Sequence, residues 1–182
     1  MIAINTVAPI RGCQIALEHM RKDKGGRGGV IINTVSFGGL VTSFGALSPA
    51  YIGSKHAMIG YTLSVANDRD LPAIGVRLCC LCPDAVNTSL INFSANPGSV
   101  LKDADHMTRY AKIRALEPEV VAQAFIKQLE DGAQNGKIMV VDRERGAVYR
   151  QRVLVDEDGT SNPQFVDKAP PPRHPTAQGH SQ

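Results

Sequence analysis

The sequence predicts an α/β protein in which helices cover both faces of a parallel sheet. Three short segments are apolar throughout and bounded by turn residues, at residues 29–35, 75–82 and 136–142. A strand with one exposed face alternates apolar and polar residues, whereas a strand buried on both faces does not. Because segments with helical spacing alternate with these strands, a parallel sheet between two layers of helices is expected.

The helical segments follow in order along the chain. Residues 2–22 carry apolar side chains at roughly helical spacing, and Pro9 interrupts this pattern,. Residues 49–67 form a second helical segment. Pro118 suits the first position of a third helix, where a missing N–H removes no helical hydrogen bond.

Beyond about Arg150 the composition changes. Residues 151–182 contain five of the eleven prolines and few large apolar side chains. Such a composition favours extended, solvated chain, so we expect one ordered domain at residues 1–150 and a disordered, proline-rich tail.

Composition and charge exclude several classes of protein. A net charge of +3 on 182 residues is too small to imply a nucleic-acid partner,. There is no run of about 18 apolar residues, so no membrane span is expected. The N-terminus does not resemble a signal peptide, which predicts a cytoplasmic protein. The cysteines lack the spacing of a metal site or a disulfide framework, and small buried side chains are expected instead.

Tyr51 and Lys55 are the residues that most directly suggest catalysis. They are four apart in a predicted helix, which places both side chains on one face. An ammonium close to a phenol favours the phenolate, and such a phenol can exchange a proton with an alcohol or a carbonyl oxygen. Ser36 follows a predicted strand and can hold the same oxygen. Taken alone, the pattern also fits a helix without any catalytic role.

Taken in order, these segments resemble the short-chain dehydrogenase/reductase family. The resemblance lies in I-I-N-T-V-S, then Y-I-G-S-K-H, then G-V-R-L-C-C-L-C-P-D-A-V-N-T, and it extends over residues 2–149. Within the family the chain is most similar to the branch that oxidises 15-hydroxyprostaglandins with NAD. The resemblance implies a partial Rossmann-like fold, the C-terminal part of a three-layer α/β/α domain. It also implies hydride transfer between a secondary alcohol or ketone and a nicotinamide.

The resemblance implies a role for each matching residue. Tyr51 would be the acid/base, Lys55 would assist it and bind the nicotinamide ribose, and Ser36 would orient the substrate oxygen. Asn5 matches the family's catalytic asparagine. The other matches would line the substrate and cofactor sites: Ser48 for the substrate, and Pro83, Val86, Asn87 and Thr88 for the nicotinamide.

Pro9 supports the assignment of Asn5. A helical residue donates its N–H to the carbonyl four residues earlier, and proline has no N–H to donate. The Asn5 carbonyl is therefore expected to be free at a helix kink. In the family the matching carbonyl holds a water that relays protons toward the lysine. Alternatively, Pro9 merely shortens the helix.

Three features depart from the family pattern. The turn after the second strand is Pro83-Asp84 instead of Pro-Gly, and an aspartate at positive φ would be strained. The spacing from Ser36 to Tyr51 is two residues longer than expected. No glycine-rich strand–turn–helix for a pyrophosphate precedes Asn5, so the first half of the cofactor site is missing from the sequence. NAD and NADP therefore both remain open, and the strand that ends at Ser36 is expected at an exposed sheet edge.

Two functions follow from this comparison. The first is an oxidoreductase for a lipid-like alcohol, such as a hydroxyprostaglandin, a hydroxy fatty acid or a steroid, with the segment after Thr88 either forming an apolar lid or packing on the body. The second is an inactive fragment that acts through the helices at residues 2–22 and 49–67. The resemblance identifies these helices as the family's dimer interface, so the partner would be a second copy or an intact relative.

Overall fold

The computed structural model describes residues 1–42, 49–89 and 115–150. All of them belong to the first of two units into which the chain divides, Met1–Arg150. The tail predicted at residues 151–182 lies outside the described residues, and its disorder stays a prediction.

A four-stranded mixed sheet forms the centre of the described residues. In space its strands follow the order β1 (Gly29–Thr34), β2 (Val76–Pro83), β3 (Ile138–Asp142) and β4 (Gly146–Arg150). β1 pairs with β2 and β2 with β3 in parallel, whereas β3 and β4 are antiparallel. β2 and β3 are almost entirely buried, as their continuous apolar sequences predict. The α/β fold class is confirmed, and β1 lies at one edge of the sheet.

β4 corrects the prediction of a wholly parallel sheet of three strands. The Asp142 carboxylate closes a tight hairpin by accepting the backbone N–H groups of Glu144 at 3.0 Å and Arg145 at 2.8 Å. It also pairs with the Arg145 guanidinium at 2.7 Å. Gly146 follows with φ +69°, a conformation that favours glycine,. The pairing with β3 decides the structure of this segment, G-A-V-Y-R, whose apolar run is shorter than the run that marks β3.

Two long helices cover one face of the sheet. A π-helical turn, Ala3–Val7, leads into α1, Ala8–Met20, and α2 spans Pro49–Ala66. The core on this face is made of buried residues from α2, β2 and β3 and of Val35 just after β1; it includes Met58, Ile59, Leu63, Cys80, Cys82, Ile138 and Val140. The four cysteines of the chain are buried, as the sequence indicates.

A polar network ties β1 to both helices within this layer. The Asn33 side chain on β1 donates to the Thr62 hydroxyl on α2 at 2.9 Å. It also accepts from the Cys13 thiol on α1 at 3.4 Å. Since Thr62 is fully buried, this network fixes the helices relative to the strand that leads to Ser36,.

The helices α3, Leu71–Ile74, and α4, Pro118–Glu130, complete the described helices. α4 begins at Pro118 as predicted, and it packs on the second face of the sheet through Val121 and Ala124. α3 was not predicted, because one helical turn carries too little periodicity. None of the helices in the described ranges is both long and apolar enough to span a bilayer.

Asn135, which lies just before β3, connects the sheet to the helix α2. Its side-chain oxygen accepts the Leu78 N–H at 3.0 Å, and its amide donates to the Ala66 carbonyl at the end of α2 at 2.8 Å. A short polar side chain thus satisfies two backbone groups that burial would otherwise leave without partners.

Pro9 does not shorten the first helix, so that alternative is wrong. The chain is helical on both sides of Pro9, which occupies the second position of α1. In the π-helical turn before it, the Ala8 N–H donates to the Ala3 carbonyl, five residues back. This wider turn accommodates the proline, which has no N–H to offer the Asn5 carbonyl.

Candidate active site

The candidate site lies where the parallel strands β1 and β2 end. Their register pairs Thr34 with Leu81, and the Val35 N–H extends the pairing by donating to the Leu81 carbonyl at 2.7 Å. Ser36 therefore comes to lie beside the last residues of β2. In open α/β sheets, ligands bind beyond the carboxyl ends of the strands, which makes this edge the expected position of a site.

The Ser36 hydroxyl is held at the start of a 3-10 turn, Phe37–Gly39. Its Oγ accepts the Gly38 N–H at 3.1 Å. A Cβ atom placed on Gly38 would lie 3.5 Å from the Ser36 Oγ and 3.5 Å from Cε1 of Tyr51. The serine hydroxyl and the tyrosine ring therefore flank the same buried glycine, and the structure brings these two predicted residues together.

Tyr51 and Lys55 lie on one face of α2, as their spacing predicts. The Lys55 Nζ is 5.5 Å from the centroid of the Tyr51 ring, within the range of a cation–π interaction,. Burial lowers the pKa of Lys55 below its ordinary value, and Cys82 acts in the opposite direction. Among the described side chains, no carboxylate forms an ion pair with Lys55. The structure thus brings these two predicted residues together.

Asn5 reaches the same helix through Ser54. The Asn5 amide donates to the Ser54 hydroxyl at 3.2 Å, and this hydroxyl donates to the Tyr51 carbonyl at 2.7 Å. The Thr6 hydroxyl adds a bond to the Ser54 carbonyl at 3.3 Å. Ser54 is only 1% exposed and connects the first helix to α2. Sequence reasoning missed it, and its position between Tyr51 and Lys55 was the one available signal.

The predicted nicotinamide segment follows the end of β2 at Pro83. Val86 forms an isolated parallel bridge with Leu116, and the Asn87 N–H donates to the Leu116 carbonyl at 2.8 Å. The Asn87 side chain donates to a carboxylate at 3.3 Å, and the Thr88 hydroxyl lies 3.4 Å from the Val86 carbonyl. The segment is therefore anchored to the chain just before α4. Its contacts with a cofactor stay a prediction.

Asp84 does not bring the strain expected from replacing glycine in this turn. No described residue other than glycine has a positive φ. The Asp84 N–H donates to the Val141 carbonyl at 2.9 Å, and its carboxylate accepts the Ala85 N–H at 2.8 Å. The turn thus uses a conformation open to any residue, with an exposed negative charge beside the site.

A cavity of about 390 Å³ opens at the other end of the sheet, where the strands begin. Its lining includes Gly29, Val76 and Asn135. It is remote from Tyr51 and is not the substrate site expected from the sequence. The predicted substrate residue Ser48 lies outside the described residues, and so do residues 90–114, which are most of the lid predicted after Thr88.

Comparison with known proteins identifies the family of this chain. The family model for short chain dehydrogenases matches residues 1–97. The chain is 38% identical over 155 residues to human 15-hydroxyprostaglandin dehydrogenase [NAD(+)], covering 82% of this chain and 57% of the relative. It is 30% identical over 145 residues to 3-hydroxyacyl-CoA dehydrogenase type-2 of Drosophila melanogaster, covering 78% and 54%. The chain spans a little over half the length of these relatives. It belongs to the short-chain dehydrogenase family.

Proposed function

We propose that this chain supplies the catalytic part of an oxidoreductase that interconverts a secondary alcohol and a ketone with a nicotinamide cofactor. The observation that carries the proposal is the grouping of three side chains, Ser36, Tyr51 and Lys55, at the carboxyl edge of the sheet. Family membership supports the same class of chemistry.

In the proposed oxidation, Tyr51 takes the proton of the substrate hydroxyl while the carbon–hydrogen bond breaks. The Ser36 hydroxyl holds the substrate oxygen, and the positive charge of Lys55 stabilises the phenolate that accepts the proton. In the reverse direction, Tyr51 returns this proton to the carbonyl oxygen. The nicotinamide, when bound, supplies the acceptor or donor of the hydride.

Asn5 is proposed to act through its backbone. Pro9 has no N–H for the Asn5 carbonyl, so this oxygen can hold a water that exchanges protons with Lys55. The side chain of Asn5 donates to the Ser54 hydroxyl and so ties Asn5 to α2. If Pro9→Ala left a water on the Asn5 carbonyl in a crystal structure, the proline would be irrelevant to this relay.

The residues present fit one end of a dinucleotide. Lys55 has no carboxylate partner among the described residues, so its ammonium can donate to ribose hydroxyls. Val86 and Thr88 follow β2 at the same edge and would line the nicotinamide, with Pro83 and Asn87 shaping the turn.

NAD is favoured over NADP, because the human relative is named as NAD(+)-dependent. A lipid-like hydroxy compound, such as a 15-hydroxyprostaglandin, is the proposed substrate, because the same human relative is named for 15-hydroxyprostaglandin.

The test is the turnover of Tyr51→Phe. We expect the full chain to reduce NAD with a hydroxy-lipid, and Tyr51→Phe to lower kcat at least about 100-fold, since positioned acid/base catalysis contributes about that much. Tyr61→Phe, a tyrosine on the same helix, is the matched control and is expected to keep its rate. Calorimetry measures NAD binding in parallel. An unchanged kcat in Tyr51→Phe, or no NAD binding by the unaltered chain, would contradict the proposal.

A second candidate is a non-catalytic partner that pairs through the first helix. Ile4, Val7 and Ile15 are 74%, 58% and 47% exposed, and their spacing forms an apolar stripe,. We propose a second copy or an intact relative as the partner. Sedimentation equilibrium should then show a dimer that Ile4→Lys dissociates, whereas a monomer at high concentration, with no binding to an intact relative, would exclude this role.

A further inference from the structure

The turn that carries Ser36 contains two buried glycines packed against α2. A Cβ atom on Gly39 would lie 3.0 Å from the Lys55 carbonyl oxygen, 3.1 Å from its carbonyl carbon and 2.9 Å from Cδ1 of Ile59. These distances are shorter than nearly all contacts that Cβ atoms make. Gly39 does not have a positive φ, so its backbone conformation is open to other residues. Glycine is therefore required at position 39 because α2 leaves no room for a Cβ atom.

The atoms that Gly39 meets make this contact rigid. The Lys55 carbonyl belongs to the backbone of α2 and cannot rotate away, so any side chain at position 39 would displace the helix or the turn. Gly38 differs, because its Cβ would meet Cδ1 of Ile52 at 3.0 Å, the end of a side chain that can adopt another rotamer. Gly60 on the exposed side of α2 would meet nothing within 4 Å.

We propose that Gly39 is a positioning residue, whose missing side chain sets how closely the Ser36 turn approaches Lys55 and Tyr51 on α2. Its catalytic meaning rests on the proposed function, whereas the packing argument does not. In the proposed reaction, the hydroxyl of Ser36 and the hydroxyl of Tyr51 on α2 must both contact the same substrate oxygen. Catalytic groups tolerate displacements of only about 0.5 Å, so the contact at Gly39 acts on a distance that matters for the reaction.

The test compares Gly39→Ala with Gly60→Ala in the full chain. Lysines are labelled with ¹³C by reductive methylation, and the Lys55 signal is assigned with Lys55→Arg. Burial lowers the pKa of Lys55. We expect Gly39→Ala to separate the turn from α2, admit water and move the pKa of Lys55 back toward its ordinary value. Gly60→Ala should leave the titration unchanged, since its methyl group meets nothing.

An unchanged titration of Lys55 in a folded Gly39→Ala chain would overturn the proposal. If Gly39→Ala does not fold, Gly39→Ala/Ile59→Val removes the contact with Cδ1 and leaves the contact with the Lys55 backbone. The pKa of Lys55 must still be shifted toward its ordinary value in this double variant. A return to the unaltered titration would show that Ile59 imposes the constraint, and the proposal would be wrong.

Kinetics separate this inference from the proposed function. If the unaltered chain turns over, Gly39→Ala should lower kcat at least about 10-fold with little change in KM for NAD, as expected for misplaced catalytic groups. An unchanged kcat would overturn the positioning role. Suppose that the unaltered chain has no turnover while Gly39→Ala still shifts the pKa of Lys55. In that case the packing role stands and the proposed activity fails.

Discussion

The hydrogen bond from Asn5 to Ser54 should contribute a measurable coupling between the first helix and α2. It is one neutral N–H···O bond of 3.2 Å in a partly buried position, so we expect it to stabilise the fold by about 0.5–1 kcal/mol,. Ser54→Ala should cost about 1–2 kcal/mol, because the buried hydroxyl also donates to the Tyr51 carbonyl,. Asn5→Ala should cost less, and the double variant should cost less than the sum by the coupling energy.

Urea unfolding followed by circular dichroism measures this cycle in the full chain. Thr6→Val with Ser54→Ala is the matched control. Thr6 donates to the Ser54 backbone carbonyl, which Ser54→Ala retains, so these two costs should add within about 0.5 kcal/mol,. Additive costs for Asn5 and Ser54, or an equal coupling in the control pair, would refute the assigned bond between the helices.

Three further predictions concern stability and pH. Asn135→Ala leaves two buried backbone groups without partners and should lower the free energy of unfolding by about 2–4 kcal/mol in urea, whereas an effect below 1 kcal/mol would contradict its bridging role,. Lys55→Met should stabilise the chain at pH 7, because the folded state disfavours the lysine charge. This gain should shrink as pH rises toward the ordinary lysine pKa of 10.5, and a pH-independent difference would argue against burial as the cause,. Burial opposes ionisation of Asp142, yet hydrogen bonds from the hairpin hold its pKa below 3.8 overall. The free energy of unfolding should therefore decrease as pH falls from 5 to about 2, and this decrease should be smaller in Asp142→Asn.

The sequence predicted the main elements because their patterns are local. The continuous apolar runs at β2 and β3 each mark a buried strand, and α2 was predicted as a helix over residues 49–67,. Their ends were predicted within one or two residues, and Pro118 marked the start of α4. β4 was missed because it is a strand only through pairing with β3 and the hairpin closed by Asp142.

The candidate site was predicted in part for the same reason. Tyr51 and Lys55 are one helical turn apart, so their proximity follows from the helix alone. The closeness of Ser36 to Tyr51 depends on Gly38 and on the packing of the Ser36 turn against α2. No local pattern specifies that distance.

The sequence by itself determined the α/β class, the order of the main helices and strands, and the shared helix face of Tyr51 and Lys55. These properties depend on the period of apolar side chains and on the geometry of one helix. Tertiary structure alone decided the antiparallel β4, the bridging role of Ser54 and the need for glycine at position 39. Each of these depends on atoms that approach one another from distant parts of the chain, and only the packed fold specifies such distances.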